Sequence, residues 1–294
     1  MDLADDSDQA ATPDLEQALI LAGVVGMIDP PRVQAALAIA DDNSATIVQA
    51  VREGRSIFDN IRNFLRCWLS SNMGEVLTVF LGMIGASVIG FGSGDLTGGN
   101  ANAHAVVLPL LATQLLWINL VTDLGPALAL GKDPPVGDLM ARPPRHQTER
   151  LTDGRMWRDV FAVGLVTAAL TLITMDIQLP GGLIEDSQSL TTARTAGFTV
   201  PVLASLFNCV CARSDTASAF RHSFANHWLW AAIELSALLQ TAVVRLPWLD
   251  VAFGTASPSS PQWATCVVKA SGVLWFSELR KAVGHVGASD KQKS

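Results

Sequence analysis

The chain has 294 residues, 49% of them hydrophobic and only 16% charged, with a formal net charge of −7. Charge this sparse, with the apolar residues bunched into long runs, is foreign to a soluble domain of this size. No basic stripe with interleaved aromatics is present, so no nucleic-acid partner is expected.

Much of the negative charge lies in MDLADDSDQAATPDLE. Residues 1–15 read as an acidic, disordered segment. It lacks the basic n-region and apolar h-region of a signal peptide. ALILAGVVGMIDPPR follows, a short β-branched, Gly-containing apolar run closed by Asp29-Pro30-Pro31. It reads as a buried strand and a turn within an α/β segment spanning 16–43. A lone strand has nothing to pair with, which makes the segment look incomplete.

ADDNSATIVQAVREGRSIFDNIRNFLRCWLSS comes next. Asp42 or Asn43 is suited to cap a helix. Ile47, Val48, Val51, Ile57, Ile61, Phe64 and Leu65 recur at three- and four-residue spacing, giving one apolar face. No proline interrupts before Pro109, so the helix is expected to run from about residue 44, through a stalk at 44–63, into the first membrane segment. The pattern leaves open whether the stalk transmits motion or is a plain juxtamembrane helix.

A bilayer core of roughly 30 Å needs about 20 apolar helical residues. Six segments approach that length: 64–91, 105–130, 157–179, 196–212, 226–246 and 262–280, within a membrane region at 64–282 that precedes a tail at 283–294. The expected fold is an all-α transmembrane bundle of six spans, with the α/β remnant and helical stalk at its N-terminus. Lys and Arg gather before the first span and in alternate loops, whereas 92–104 and 247–261 have none and 180–195 has only Arg194. That alternation places both termini in the cytoplasm of a multi-pass cell-membrane protein. Trp157, Trp228, Trp248 and Trp263 fall near span ends, as an aromatic belt would.

Polar chemistry is concentrated in two spans. SSNMGEVLTVF sets Asn72 and Glu75 three apart, and LLWINLVTDLGPALALG sets Asn119, Thr122 and Asp123 at i, i+3 and i+4. On an α-helix each set shares a face. A charged group in a bilayer costs at least about 2.5 kcal/mol, so it is kept where it pairs or holds an ion. The two spans are consecutive, so their polar faces are expected to meet. Pro126, loosened by Gly125, supplies a helix break at the site: without its N–H, the Thr122 carbonyl is left in search of a partner. An oxygen-only donor set favours a hard cation (Ca²⁺, Mg²⁺, Na⁺, K⁺ or H⁺) over zinc or copper, and two carboxylates lean toward a divalent ion. Interhelical hydrogen bonding alone is the competing reading.

Other polar residues read more simply. Glu234 and Lys269 are expected to pair within the bundle, and Asp176 to be solvated near an outer end. Cys67, Cys209, Cys211 and Cys266 lie within or beside spans; Cys209 and Cys211 face different directions on a helix, which favours packing over a soft-metal site.

SSNMGE, LLWINLVTD, ALALGKDPPVGDLMARPPR, ADDNSATIVQAVREGR and IDPPR together resemble the P-type cation-transporting ATPases of the calcium-pump branch. The match begins near Asp14, is strongest to about Arg145 and is looser over the last four spans. The resemblance implies that the six spans are the last six of ten and that Asn72, Glu75, Asn119, Thr122 and Asp123 occupy calcium-binding positions. The family's eighth-helix carboxylate would fall near Ser205, where no acid stands, leaving Asn208 one turn later as a candidate ligand and suggesting one ion per cycle. After the acid the family reads Gly-Leu-Pro; here the order is Leu124-Gly125-Pro126.

The 294 residues contain no DKTGT, TGES, KGA or GDGxND, the motifs with which the family phosphorylates, dephosphorylates and holds nucleotide and Mg²⁺. Arg32 is followed within about eight residues by ADDNSATIV, where the family inserts most of its phosphorylation domain. The resemblance therefore implies the C-terminal part of a Ca²⁺ pump, with that domain largely deleted. No catalytic residue is expected in it, nor binding of the family's ATP and Mg²⁺, nor ATP hydrolysis by this chain alone. The expected partners are the bilayer and a separate N-terminal pump half. The alternative is a non-catalytic membrane module, or a separately encoded half, that binds a cation or a partner pump.

Overall fold

The computed structural model describes residues 44–86, 108–134, 139–141, 151–179, 189–213, 219 and 226–291. The acidic start, the strand and turn through Asp29-Pro30-Pro31, the capping residues Asp42 and Asn43, and the 92–104 loop lie outside the described residues. The chain divides into compact units Met1–Arg55 and Ser56–Ser294. Of the first, only helical residues from Ser44 onward are described; all packing below belongs to the second.

Among the described residues all regular structure is helical. The first helix, α1, spans Ser44–Ile84 without a break, 41 residues, as the proline-free sequence predicts. Next come α2 (Ala112–Trp117), a π-helical segment (Ile118–Asp123) and α3 (Leu124–Leu130), which follow one another without interruption. After them run α4 (Gly154–Gln178), α5 (Leu190–Ala212), α6 (His227–Arg245), the short α7 (Pro247–Phe253), α8 (Ser260–Ala270) and α9 (Gly272–Lys291). Four helices are long and apolar enough to cross a membrane: α1 from Ile47, α4, α5 and α6. The predicted second span is divided by the π segment, and the sixth by Ser271 between α8 and α9. A Ser-Gly pair is a usual place for a helix to bend, and here the Ser271 hydroxyl donates to the Val268 carbonyl (2.6 Å).

The helices run end to end through the bundle in alternation. At one end Arg62 of α1 pairs with Asp153 before α4 (2.9 Å), and Asn60 and Asn63 of α1 donate to carbonyls after α3 and at the end of α5. At the other, Gly82 near the end of α1 lies against Pro109 just before α2. There Gln114 of α2 donates to the Phe253 carbonyl (3.0 Å), and the Ala256 amide after α7 donates to Thr195 early in α5 (2.8 Å). Each of α2–α3, α4, α5, α6 and α8–α9 therefore traverses the same bundle.

The central element is α5, whose residues Thr195–Val202 are all buried. Small residues let its neighbours approach closely, as helix packing in lipid requires. Ala204 of α5 packs with Val163 of α4 and with Ala270 and Val273 at the α8–α9 junction. Gly164 of α4 lies against Met73 and Gly74 of α1. At the far end Phe253 of α7 packs edge-on against Trp117 (5.2 Å between centroids) and stacks on Phe198. The sequence reads 247–261 as loop; α7 forms there because Pro247 opens it and Gly254, with φ of 60°, closes it in the left-handed region.

Two expectations are corrected here. Asp176 is 6% exposed rather than solvated, because the last turn of α4 packs inward, Met175 and Leu179 clustering with Ala86 and Ala193. Glu234 and Lys269 do not pair. Glu234 is exposed on α6, while the Lys269 Nζ is buried on α8 with no hydrogen-bond partner among the described residues. Hydrophobic periodicity locates spans but does not say which helices adjoin.

Candidate cation site

Glu75 sits on the inward face of α1, 4% exposed. Asn119 sits in the π segment, and its Nδ2 donates to Glu75 Oε2 (2.8 Å) and to the Leu115 carbonyl one turn back (3.0 Å). The polar faces of the two spans thus meet through a carboxylate and an amide from residues 44 apart. A carboxylate buried this deeply requires a strong donor or a cation beside it.

The π register covers all three second-span candidates, Asn119, Thr122 and Asp123. Bonding five residues back instead of four widens the turn, a distortion that recurs at functional sites. Pro126, buried early in α3, accounts for its position. Without an N–H it serves neither the carbonyl four residues back, Thr122, nor the one five back, Val121. Ser236 of α6 supplies a donor instead, its hydroxyl reaching the Val121 carbonyl (3.3 Å). Gly125 faces α6 at ordinary contact distance: a Cβ there would stand 3.8 Å from the Ala232 Cβ and 3.9 Å from the Ser236 Oγ. The backbone of Thr122 and Asp123 belongs to the π segment; their side chains lie outside the described residues.

Asn72 is half-buried, and its Nδ2 donates to Trp68 of its own helix (2.9 Å). Asn208 of α5 is buried and donates to the Ser70 hydroxyl (2.7 Å) and the Cys67 carbonyl (3.3 Å). It is engaged with α1 more than one turn before Glu75. The sequence reading passed over Ser71. One turn before Glu75, its hydroxyl is buried without a hydrogen-bond partner among the described residues. An oxygen so placed at helical spacing from a site acid was visible in SSNMGE.

A second polar cluster, also missed, closes the end of the bundle. Asp133, 2% exposed at its side chain, receives Arg213 Nε at 3.1 and 3.0 Å and Asn226 Nδ2 at 3.0 Å. Asn60 donates to the Asp133 and Gly131 carbonyls, and Asn226 to that of Ala129. At the end of α5 the carbonyls of Cys211, Ala212 and Arg213 accept from Lys281, Arg66 and Asn63. A helix end leaves its last carbonyls unpaired. Here side chains from α1, α6 and α9 satisfy them and lock the helix ends together.

A profile of the family described as "Cation transporting ATPase, C-terminus" matches residues 107–283. The chain is 34% identical over 241 residues to a calcium-transporting ATPase of Bacillus subtilis, covering 82% of this chain and 24% of that protein. It is 33% identical over 285 residues to calcium-transporting ATPase 1 of Bacillus cereus, covering 92% of this chain and 30% of that one. It is also 32% identical over 240 residues to the probable cation-transporting ATPase F of Mycobacterium bovis, covering 81% and 24%. The chain thus spans between about a quarter and a third of the length of these relatives.

Proposed function

The chain belongs to the P-type cation-transporting ATPases, of which it carries the C-terminal membrane domain, and from that premise we propose that it holds Ca²⁺ as the transported ion between α1 and the π segment. The observation that carries the reading is the buried Glu75 carboxylate meeting Asn119 across two helices at 2.8 Å. In a pump cycle a cation takes the place of the amide protons around the carboxylate. Asp123, Thr122, Asn72 and backbone oxygens of the distorted helix complete an oxygen shell suited to a hard divalent ion. The names of two relatives, both calcium-transporting ATPases, support Ca²⁺ over other hard cations.

Six crossings of the cell membrane, with both ends in the cytoplasm, belong to this reading. The end-to-end course of α2–α3 and α8–α9 supports them, as do lipid-suited exposed side chains such as Leu116, Leu120, Val268 and Leu279. Energy from ATP reaches the site through the family's phosphorylation machinery, none of whose signature motifs is among these residues. A partner pump half that supplies the missing machinery is part of the proposal.

The test is a Ca²⁺ titration of the chain in lipid nanodiscs, beside Glu75→Gln and Asp123→Asn. Saturable binding is expected, weakened roughly tenfold or more in each variant, about 1.4 kcal/mol. Non-saturating curves indistinguishable among the three proteins would remove the ion site.

A further inference from the structure

Two thiols that the cation site does not use meet inside the bundle. Cys67 of α1 and Cys209 of α5 are each 2% exposed, and their sulfurs lie 2.8 Å apart. Asn208, next to Cys209, donates to the Cys67 carbonyl (3.3 Å) and to Ser70 (2.7 Å), so the two backbones are braced at this level. Ala129 and Leu130 of α3 and Leu229 of α6 belong to the same buried apolar cluster as the two cysteines. A small polar cleft has Arg66 and Asn208, the neighbours of the two cysteines, on its wall together with Ser70 and Arg280, and it also touches Cys211, the competing thiol.

The spacing decides what the pair can become. A disulfide holds its sulfurs at about 2.05 Å, so they need approach by only about 0.8 Å. A metal held linearly between two thiolates would need them about 4.6 Å apart, twice a typical metal–sulfur bond of about 2.3 Å. Among the described residues no group of three or more His, Cys, Asp or Glu is placed to hold a metal. We infer that Cys67 and Cys209 form a reversible disulfide that ties α1 to α5 when a small peroxide enters the bundle.

The chemistry balances with one peroxide. One sulfur attacks a peroxide oxygen: an S–O bond forms, the O–O bond breaks, and the thiol proton leaves with the departing oxygen as water or an alcohol. The second sulfur attacks the resulting sulfenic sulfur: the S–S bond forms, the S–O bond breaks, and hydroxide takes the second thiol proton as water. The two sulfurs together lose the two electrons that reduce the O–O bond. A dithiol reductant reverses the bond by exchange. Once formed, it joins residues 142 apart and holds the helix that carries Glu75 against the central helix of the bundle.

The experiment treats the full chain in lipid nanodiscs with hydrogen peroxide, quenches it in acid, unfolds it, alkylates the free thiols and maps the peptides by mass spectrometry. The wild type is expected to lose two of its four alkylatable thiols, to yield a linked Cys67–Cys209 peptide, and to regain all four with dithiothreitol. The Cys211→Ser/Cys266→Ser double variant keeps the linked peptide, and Cys67→Ser yields none. The oxidised wild type unfolds at a higher temperature than the reduced. Four thiols surviving peroxide, a linkage through Cys211 or Cys266, Cys67 recovered as a sulfinic acid, or an unfolding midpoint unmoved by oxidation would each overturn the inference. The wild-type map decides even if a variant fails to fold.

Discussion

Asp133 carries a formal charge in a nearly dry site, with Arg213 and Asn226 on its carboxylate and Asn60 on its carbonyl. Removing one partner of such a pair leaves the other charge buried, which costs about 3–5 kcal/mol, whereas replacing both by apolar groups is often nearly neutral. Asp133→Ala should therefore lower the unfolding midpoint sharply in mild detergent, and Asp133→Leu with Arg213→Met should recover much of it. Equal losses in the single and double variants would mean that the pair contributes packing alone. At this scale the sequence was half legible. Glu75 and Asn119 stood out because an acid and an amide inside apolar runs are costly, and consecutive spans are natural neighbours. Asp133 and Arg213 looked ordinary, as a loop acid in a DPP motif and a loop cation, because nothing in a pattern brings together residues 80 apart. The Cys67–Cys209 contact was hidden for the same reason, across 142 residues.

Elements are set by their ends and their closest approaches. Asp153 caps α4, accepting from the Met156 amide (2.7 Å) and pairing with Arg62 (2.9 Å). The Met156 hydrogen bond, helped by the Arg62 charge and opposed by partial burial, holds its carboxyl below the usual carboxylate range. A lowered folded-state pKa stabilises fully above the unfolded value, about 3.9 for Asp, and that stability is lost as pH falls through the folded value. Asp153→Ala should cost about 1 kcal/mol at neutral pH, less than cap and ion pair summed because the pair is exposed. Unfolding midpoints of variant and wild type should converge as pH drops below about 4; a gap that persists there would assign the loss to packing. Gly164 tests close approach. A Cβ there would stand 2.7 Å from Met73 Cγ and 3.1 Å from the Gly74 backbone nitrogen. Gly164→Ala should therefore destabilise by about 1–3 kcal/mol, and an unchanged melting curve would show that α1 and α4 separate freely. The unbroken α1 was readable from seven spaced apolar residues and no proline. The π segment was not, because the shared face of Asn119, Thr122 and Asp123 was read at α-helical spacing. Pro126 announced a distortion without saying that it would be a widened turn completed by Ser236 from α6.

For the whole molecule the open choice is between four crossings and six, and it has a clean consequence. Length and hydropathy select α1, α4, α5 and α6. The proposed six include α2–α3 and α8–α9, each of which connects the end that holds Asp133, Arg213 and Lys281 to the end that holds Gln114, Phe253 and Ala256. A helix interrupted by a π turn or a Ser-Gly bend falls below a length criterion yet still covers the same distance in a bundle. With the start of α1 in the cytoplasm, six crossings put Arg155 inside and Val251 outside. Four crossings, with α2–α3 and α8–α9 lying on the surface, put Arg155 outside and Val251 inside. Both residues are exposed, Val251 at 86%, and the four native cysteines are buried, so a reactive thiol at either position reports its side. In intact cells a membrane-impermeant maleimide should label Val251→Cys at once and Arg155→Cys only after permeabilisation. The reverse pattern would show that the two interrupted segments do not cross. In that case the π segment, and the Asn119 that meets Glu75, would lie on the membrane surface, where water competes for every ligand and a buried cation cage cannot form.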